Sequence, residues 1–177
     1  MNKRISVGQR IVDACVKMNV VSAVEGEELL KIIQEKDQSS IDDFLLDEHI
    51  VDHETLLKIL QRIYGIQSYD VRGHFFNHEL VLVFPQDFLT NNALIPLDVD
   101  VEGDILTVVV SDPEDEEIID QVSNYVPYTV NIVVGIRRDI CDAIEEYYDK
   151  DVINGDIDDE ENREDDDLAD SDIVDLD

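Results

Sequence analysis

The sequence predicts an α+β fold in which a small N-terminal helical bundle precedes a three-stranded α/β sandwich and a disordered acidic tail. Up to about residue 66, apolar residues recur at three- and four-residue spacing, which indicates amphipathic helices. Between residues 69 and 148, runs of β-branched residues alternate with helical segments. Acids dominate residues 149–177, which bury too little apolar surface to become ordered. We expect a helical subdomain at 1–68, an α+β subdomain at 69–148 and a tail or linker at 149–177.

Four short helices account for the first region. Asp52 is a suitable N-cap for the fourth helix, and Gly65 is a suitable C′ residue at its end. Short connections between such helices predict a compact bundle. The apolar faces are formed by Ile11, Ala14, Cys15 and Met18, by Leu29, Leu30, Ile32 and Ile33, by Ile41, Phe44 and Leu45, and by Leu56, Ile59, Leu60 and Ile63.

Three strands covered by helices are predicted in the second region. Strands at 93–101 and 105–110 flank a turn at Gly103, which indicates a hairpin, and a third strand lies at 128–134. A short helix starts at Pro85. Asp112 is expected to cap another helix, with Pro113 at its first position. Gly135 then leads into a final helix at 137–148.

The charge of the chain restricts its partners. Among 177 residues, 44 acids face 13 Lys and Arg, which gives a formal net charge of -31. Nucleic acid is not an expected partner, because its phosphates are neutralised by Lys and Arg, and anionic lipid is disfavoured for the same reason. A basic protein surface or a cation suits this charge better.

The expected location is the cytoplasm. No apolar run approaches the roughly 20 residues that span a bilayer, and the first residues do not form a secretory signal. Cys15 and Cys141 lie in amphipathic helical segments and are interpreted as buried, reduced thiols. We expect no membrane insertion, although a partner could hold the protein at the periphery of the inner membrane.

Four runs of residues resemble a known domain. They are FPQDFL from Phe84, ALIPL from Ala93, ILTVVVSDP from Ile105 and ICDAIEEYY from Ile140. In combination, and over residues 10–148, they resemble the N-terminal domain of the GspE- and PilB-like ATPases of bacterial type II secretion and type IV pilus assembly. The resemblance implies a helical piece followed by a small α/β piece. It also implies a partner protein, which is a cytoplasmic domain of the secretion or pilus platform, or the cognate ATPase.

The resemblance does not extend to the motor of these ATPases. A P-loop requires Gly-x4-Gly-Lys-Ser/Thr, and none of the seven glycines is followed by Lys. The sequence suggests no catalytic residues, no cofactor and no metal site. We therefore expect a non-catalytic interaction module or regulator rather than an enzyme.

Some relatives, of the MshE type, bind cyclic di-GMP through a tandem motif that starts Arg-Leu-Gly and ends in Gln. The first copy here keeps Arg10 but has Val12 in place of Gly, and its last residue corresponds to Gln34. The second copy keeps its aliphatic frame but has Ser40, Asp42 and Ile63 at its polar positions. Because a carboxylate repels phosphate, we expect this site to be lost. The alternative is a cyclic di-GMP sensor that uses Arg10 and Gln34.

Three further groups of residues are each open to two interpretations. Arg137 and Arg138 could contact a partner, or they could neutralise acids at a sheet edge. Two His-x3-His pairs, at 49 and 53 and at 74 and 78, have a spacing that can hold a metal on a helix, but we expect exposed histidines. The acids at 112–117 fit a charged helix start better than a calcium loop.

Overall fold

The N-terminal helices lie where the sequence predicts them. In the computed structural model they are α1 (Val7–Lys17), α2 (Ala23–Gln34), α3 (Ile41–Asp47) and α4 (His53–Tyr64), with a 3-10 turn at Gln38–Ser40. The Asp52 carboxylate accepts the backbone N–H of Thr55, and Gly65 ends α4 in the left-handed conformation at φ 69°. Both predicted helix ends are therefore confirmed.

The structure describes the backbone of residues 6–158 and the side chains of residues 6–149. The chain divides into two compact units, Met1–Glu145 and Glu146–Asp177, and all contacts given below lie within the first. The predicted division at residue 68 stays a prediction. Among the described residues, no helix is long and apolar enough to cross a membrane.

The sheet has three strands in the order β1-β2-β3. Strands β1 (Leu94–Asp100) and β2 (Ile105–Val110) form the predicted antiparallel hairpin, in which Leu94 pairs with Val110. Strand β3 (Thr129–Val134) runs parallel to β2, and helix α7 (Glu117–Ser123) connects them. The predicted α+β class is confirmed.

The helical core continues into the end of the sheet. Val134, the last residue of β3, and Ile136, just beyond it, are buried within the cluster of the N-terminal helices. Leu45, Leu56 and Ile59 of that cluster are fully buried. This packing brings α1, α3 and α4 close to the residues that follow β2 and β3. A seam of charged side chains results, which contains most of the candidate site residues.

Three local predictions are corrected. Helix α7 begins at Glu117 rather than at Pro113, because the carboxylates of Asp112 and Asp115 accept the N–H groups of Glu114 and Glu117 in two successive turns. His78 begins a short helix, α5 (His78–Val81), which the sequence analysis did not predict, and α6 (Gln86–Asn92) follows. Helix α8 (Arg137–Asp158) continues past the predicted end at residue 148. The rest of the predicted disordered tail, 159–177, lies outside the described residues.

Candidate interaction site

Arg10 is held at the charged seam by a bidentate ion pair. Its two terminal nitrogens donate to the Glu114 carboxylate at 2.8 and 2.7 Å, and one of them also donates to the carbonyl of Ile63 at 3.3 Å. The guanidinium lies 5.3 Å from the ring centroid of Tyr64. The hydrogen bonds to Glu114 raise the pKa of Arg10 further. The side chain therefore joins α1 to the loop after β2 rather than projecting freely toward a ligand.

Gln34 lies in different surroundings. It is the last residue of α2 and is exposed to solvent. Its neighbour Ile33 points inward and is 2% exposed. The position of Gln34 therefore gives no sign of a shared site with Arg10, whose guanidinium is directed toward Glu114 and Tyr64.

A cavity of about 200 Å³ lies at the seam. Two of its polar residues are carboxylates, Asp42 and Asp112, and one is the cation Arg137. The backbone N–H of Arg137 donates to Asp42 at 3.3 Å, whereas burial raises the pKa of Asp42 to about 6. Two carboxylates in so small a space disfavour a phosphate ligand. The cavity is lined by Val7, Ile11, Gln38, Ser39, Asp42, Leu60, Tyr64, Ser111, Asp112 and Arg137.

Arg138 is paired with two acids of α3. Its guanidinium donates to Asp47 at 2.7 Å, and its Nε lies 3.7 Å from a carboxylate oxygen of Asp43. The hydrogen bond to Asp47 raises the pKa of Arg138 further. Arg138 therefore neutralises nearby acids in this structure. These acids belong to helix α3 and not to the sheet edge that the sequence analysis considered.

A second charged network was not foreseen from the sequence. The carboxylate of Asp139 is 6% exposed and lies 3.2 Å from Nε2 of His53 and 3.7 Å from Nε of Arg72. Arg72 in turn makes a bidentate pair with Asp70. Burial raises the pKa of Asp139, while the neighbouring His53 and Arg72 oppose that change. This network ties the start of α4 to the start of α8.

The histidines do not assemble a metal centre. His49 and His53 line the same open groove, together with Asp47 and Asp52. Within residues 6–149, however, no group of three or more His, Cys, Asp and Glu could hold a metal ion.

The two cysteines are free thiols in different surroundings. Cys15 is completely buried, and burial raises the pKa of its thiol to about 11. Cys141 is only partly buried, which corrects the prediction that both are buried, and desolvation also raises its pKa. A raised pKa keeps a thiol protonated and unreactive at neutral pH.

Comparison with known proteins supports the resemblance that the sequence suggested. Residues 73–153 match the family model of the MshEN domain. No curated protein matches the chain. The solved structure of MshE with cdg is similar at a TM-score of 0.60 and 20% identity, over 78% of this chain and 98% of that chain. The N-terminal domain of XpsE is similar at a TM-score of 0.53 and 22% identity, over 82% of this chain and 97% of that chain.

Identities this low show a common fold. The family match falls mainly on the sheet and α8, and the structural matches extend the likeness into the N-terminal helices. The predicted resemblance is confirmed, and the chain has the fold of a GspE/MshE-like N-terminal domain.

Proposed function

We propose that the protein is a non-catalytic docking module of the secretion or pilus ATPase N-terminal type. It binds a cytoplasmic domain of an inner-membrane platform protein, or the cognate ATPase, and lies in the cytoplasm at the periphery of that membrane. One observation carries the proposal: the likeness spans 98% of the matched MshE chain and 97% of the matched XpsE domain. The chain therefore resembles these domains as whole units.

Arg137 and Arg138 are proposed to contribute to the partner surface. Both are partly exposed, and they are the only adjacent basic residues outside the N-terminus. Because Arg138 also bridges α8 to Asp47, a charge reversal there changes folding as well as contact. Any binding test of these residues therefore needs a parallel measurement of thermal unfolding.

Capture of a purified partner tests the proposal. The immobilised chain is expected to retain the purified cytoplasmic domain of a secretion or pilus platform protein. An Arg137→Gln, Arg138→Gln variant is expected to retain less of it while thermal unfolding shows that the variant is still folded. Arg62→Gln, at an exposed position in the last turn of α4, is the matched control and is expected to bind like the unmodified chain. A correctly folded chain that retains neither the platform domain nor the cognate ATPase would contradict the proposal.

A cyclic di-GMP sensor is the second candidate, and the similarity to the structure of MshE with cdg favours it. Three features of this chain oppose it. Arg10 is committed to Glu114, and the adjoining cavity contains the carboxylates of Asp42 and Asp112. Gln34 is exposed at a helix end. The guanidinium of Arg10 is therefore already paired with a carboxylate, whereas phosphate binding uses such a fork directly.

Calorimetric titration of cyclic di-GMP separates the two candidates. We expect no heat of binding and no rise in melting temperature at micromolar nucleotide. Arg10→Ala is the control, because it removes the one motif cation of the first copy. Micromolar binding that this substitution abolishes would make the protein a nucleotide sensor.

A further inference from the structure

The part of the chain that contains the sheet has no Lys or Arg. Between Arg72 and Arg137 the sequence has twelve Asp and Glu and neither Lys nor Arg. Of these acids, Glu114 is paired with Arg10 of α1. The surface built by residues 73–136 is thus strongly negative and has no cations of its own to offset that charge. Such a surface attracts cationic partners and repels anionic ones.

A cluster of three aromatic rings lies within this acidic stretch. The ring centroid of Phe84 is 6.0 Å from that of Phe88 and 5.3 Å from that of Tyr125, and the last two are 4.9 Å apart. Phe84 is 1% exposed and forms the buried base of the cluster, whereas Tyr125 is 40% exposed. One side of a rigid aromatic cluster therefore faces solvent.

Two exposed aliphatic side chains adjoin the cluster in the sequence. Leu82 and Val83 directly precede Phe84 and are 49% and 44% exposed. Single exposed apolar residues are common on protein surfaces, but adjacent ones beside an aromatic cluster form a patch. Exposed acids flank it in the sequence: Glu79 lies within α5, and Asp87 lies in the first turn of α6.

We propose that Leu82, Val83, Phe88 and Tyr125, here named the apolar patch, form a docking surface for a basic amphipathic helix of a partner protein. The apolar face of such a helix covers the patch, and its Lys and Arg side chains pair with acids of this stretch such as Glu79 and Asp87. Rigid aromatic anchors at the centre and charges at the rim are the usual anatomy of such an interface. This inference rests on the proposed docking function and adds to Arg137 and Arg138 a second contact surface, together with the chemistry of the partner helix that it binds.

Two designed peptides test the charge and apolar requirements separately. One is an amphipathic Lys/Leu helix of about 18 residues, long enough for five turns. The other has Ser in place of every Leu and therefore keeps only the charge. We expect the Lys/Leu peptide to bind at least about tenfold more tightly than the Lys/Ser peptide, since burying a few apolar side chains readily supplies that factor.

Variants of the chain locate the binding. The Leu82→Ser, Val83→Ser variant is expected to bind the Lys/Leu and Lys/Ser peptides with equal affinity. Leu82→Lys alone is expected to weaken binding of the Lys/Leu peptide, because the new lysine repels the lysines of the peptide. Val24→Ser, at a 69% exposed position of α2, is the matched control and is expected to change nothing. Thermal unfolding verifies that each variant remains folded.

Three outcomes would overturn the proposal: equal affinity for both peptides, undiminished binding of the Lys/Leu peptide by the Leu82→Ser, Val83→Ser variant, or binding of anionic phospholipid vesicles through the same residues.

Capture of the platform domain then separates this inference from the proposed function. If the double variant captures that domain as well as the unmodified chain does, the surface assignment is wrong and the docking function stands. If the unmodified chain captures no platform domain but the peptide results hold, the docking function fails and the surface stands.

Discussion

Replacing Asp42 with Asn is expected to stabilise the folded protein at neutral pH by about 2 kcal/mol. The carboxylate lies at the cavity of the charged seam, close to Asp43 and Asp139. Burial raises its pKa from 3.8 to about 6, and the N–H of Arg137 offsets only part of that change. The folded protein at pH 7 therefore contains an ionised group in surroundings that favour the neutral form.

The direction of the pH dependence follows from the raised pKa of Asp42. Between the ordinary value of 3.8 and about 6, the folded protein holds a proton that the unfolded chain has released. Asp42 therefore lowers the free energy of unfolding as the pH rises from about 3.8 to about 6. Above that range its contribution no longer changes with pH. Asn at position 42 does not titrate, so the variant lacks this fall.

Chemical denaturation at about pH 4.5 and about pH 7, which lie below and above the raised pKa of Asp42, measures the effect. The gain from Asp42→Asn is expected at the higher pH and is expected to shrink at the lower one. Asp98→Asn, at an exposed position of β1, is the control and is expected to alter neither value appreciably. Lower stability of Asp42→Asn at pH 7 would show that the ionised carboxylate stabilises the seam.

Substituting Ala for Gly135 is expected to destabilise the protein by about 2 kcal/mol. A Cβ atom at this position would lie 2.6 Å from Cγ1 of Val109 and 3.2 Å from Cδ1 of Ile140. Val109 and Ile140 are both completely buried, so the extra methyl group forces the packing of β2 and α8 apart. Gly135 also donates its N–H to the carbonyl of Val110 at 2.9 Å, which fixes the backbone there.

A matched substitution separates crowding from the general effect of replacing glycine. Gly103 lies in the hairpin turn, where an added Cβ would meet only the exposed carboxylate of Asp100 and would disturb its hydrogen bond from the Gly103 N–H. Gly103→Ala is therefore expected to lower the melting temperature much less than Gly135→Ala does. If Gly135→Ala melted like Gly103→Ala, the packing of β2 against α8 would be looser than the structure indicates.

Local signals made much of the fold predictable. The Asp52 cap, the Gly65 helix end and the hairpin around Gly103 each depend on a few neighbouring residues, and each occurs as expected. The predicted start of α7 at Pro113 was wrong, because a proline followed by acids suits a turn as well as a helix start. The side-chain hydrogen bonds of Asp112 and Asp115 stabilise turns there.

The site could not be predicted in the same way, because its contacts join distant parts of the chain. Arg10 and Glu114 are separated by 104 positions, and no periodic pattern links them. Charged side chains such as that of Asp139 are usually exposed, so its burial was not expected from the sequence. It is buried next to His53 and Arg72, which are distant in the sequence. The exposure of Leu82 and Val83 could not be predicted either, since an apolar run next to Phe84 suggests burial.

Calorimetric titration of the platform protein's cytoplasmic domain into this chain, with and without cyclic di-GMP, tests the docking function most directly. We expect the platform domain to bind this chain saturably, with an affinity that cyclic di-GMP does not change. The Leu82→Ser, Val83→Ser variant is expected to bind the platform domain more weakly. Binding of cyclic di-GMP without any binding of the platform domain would contradict it.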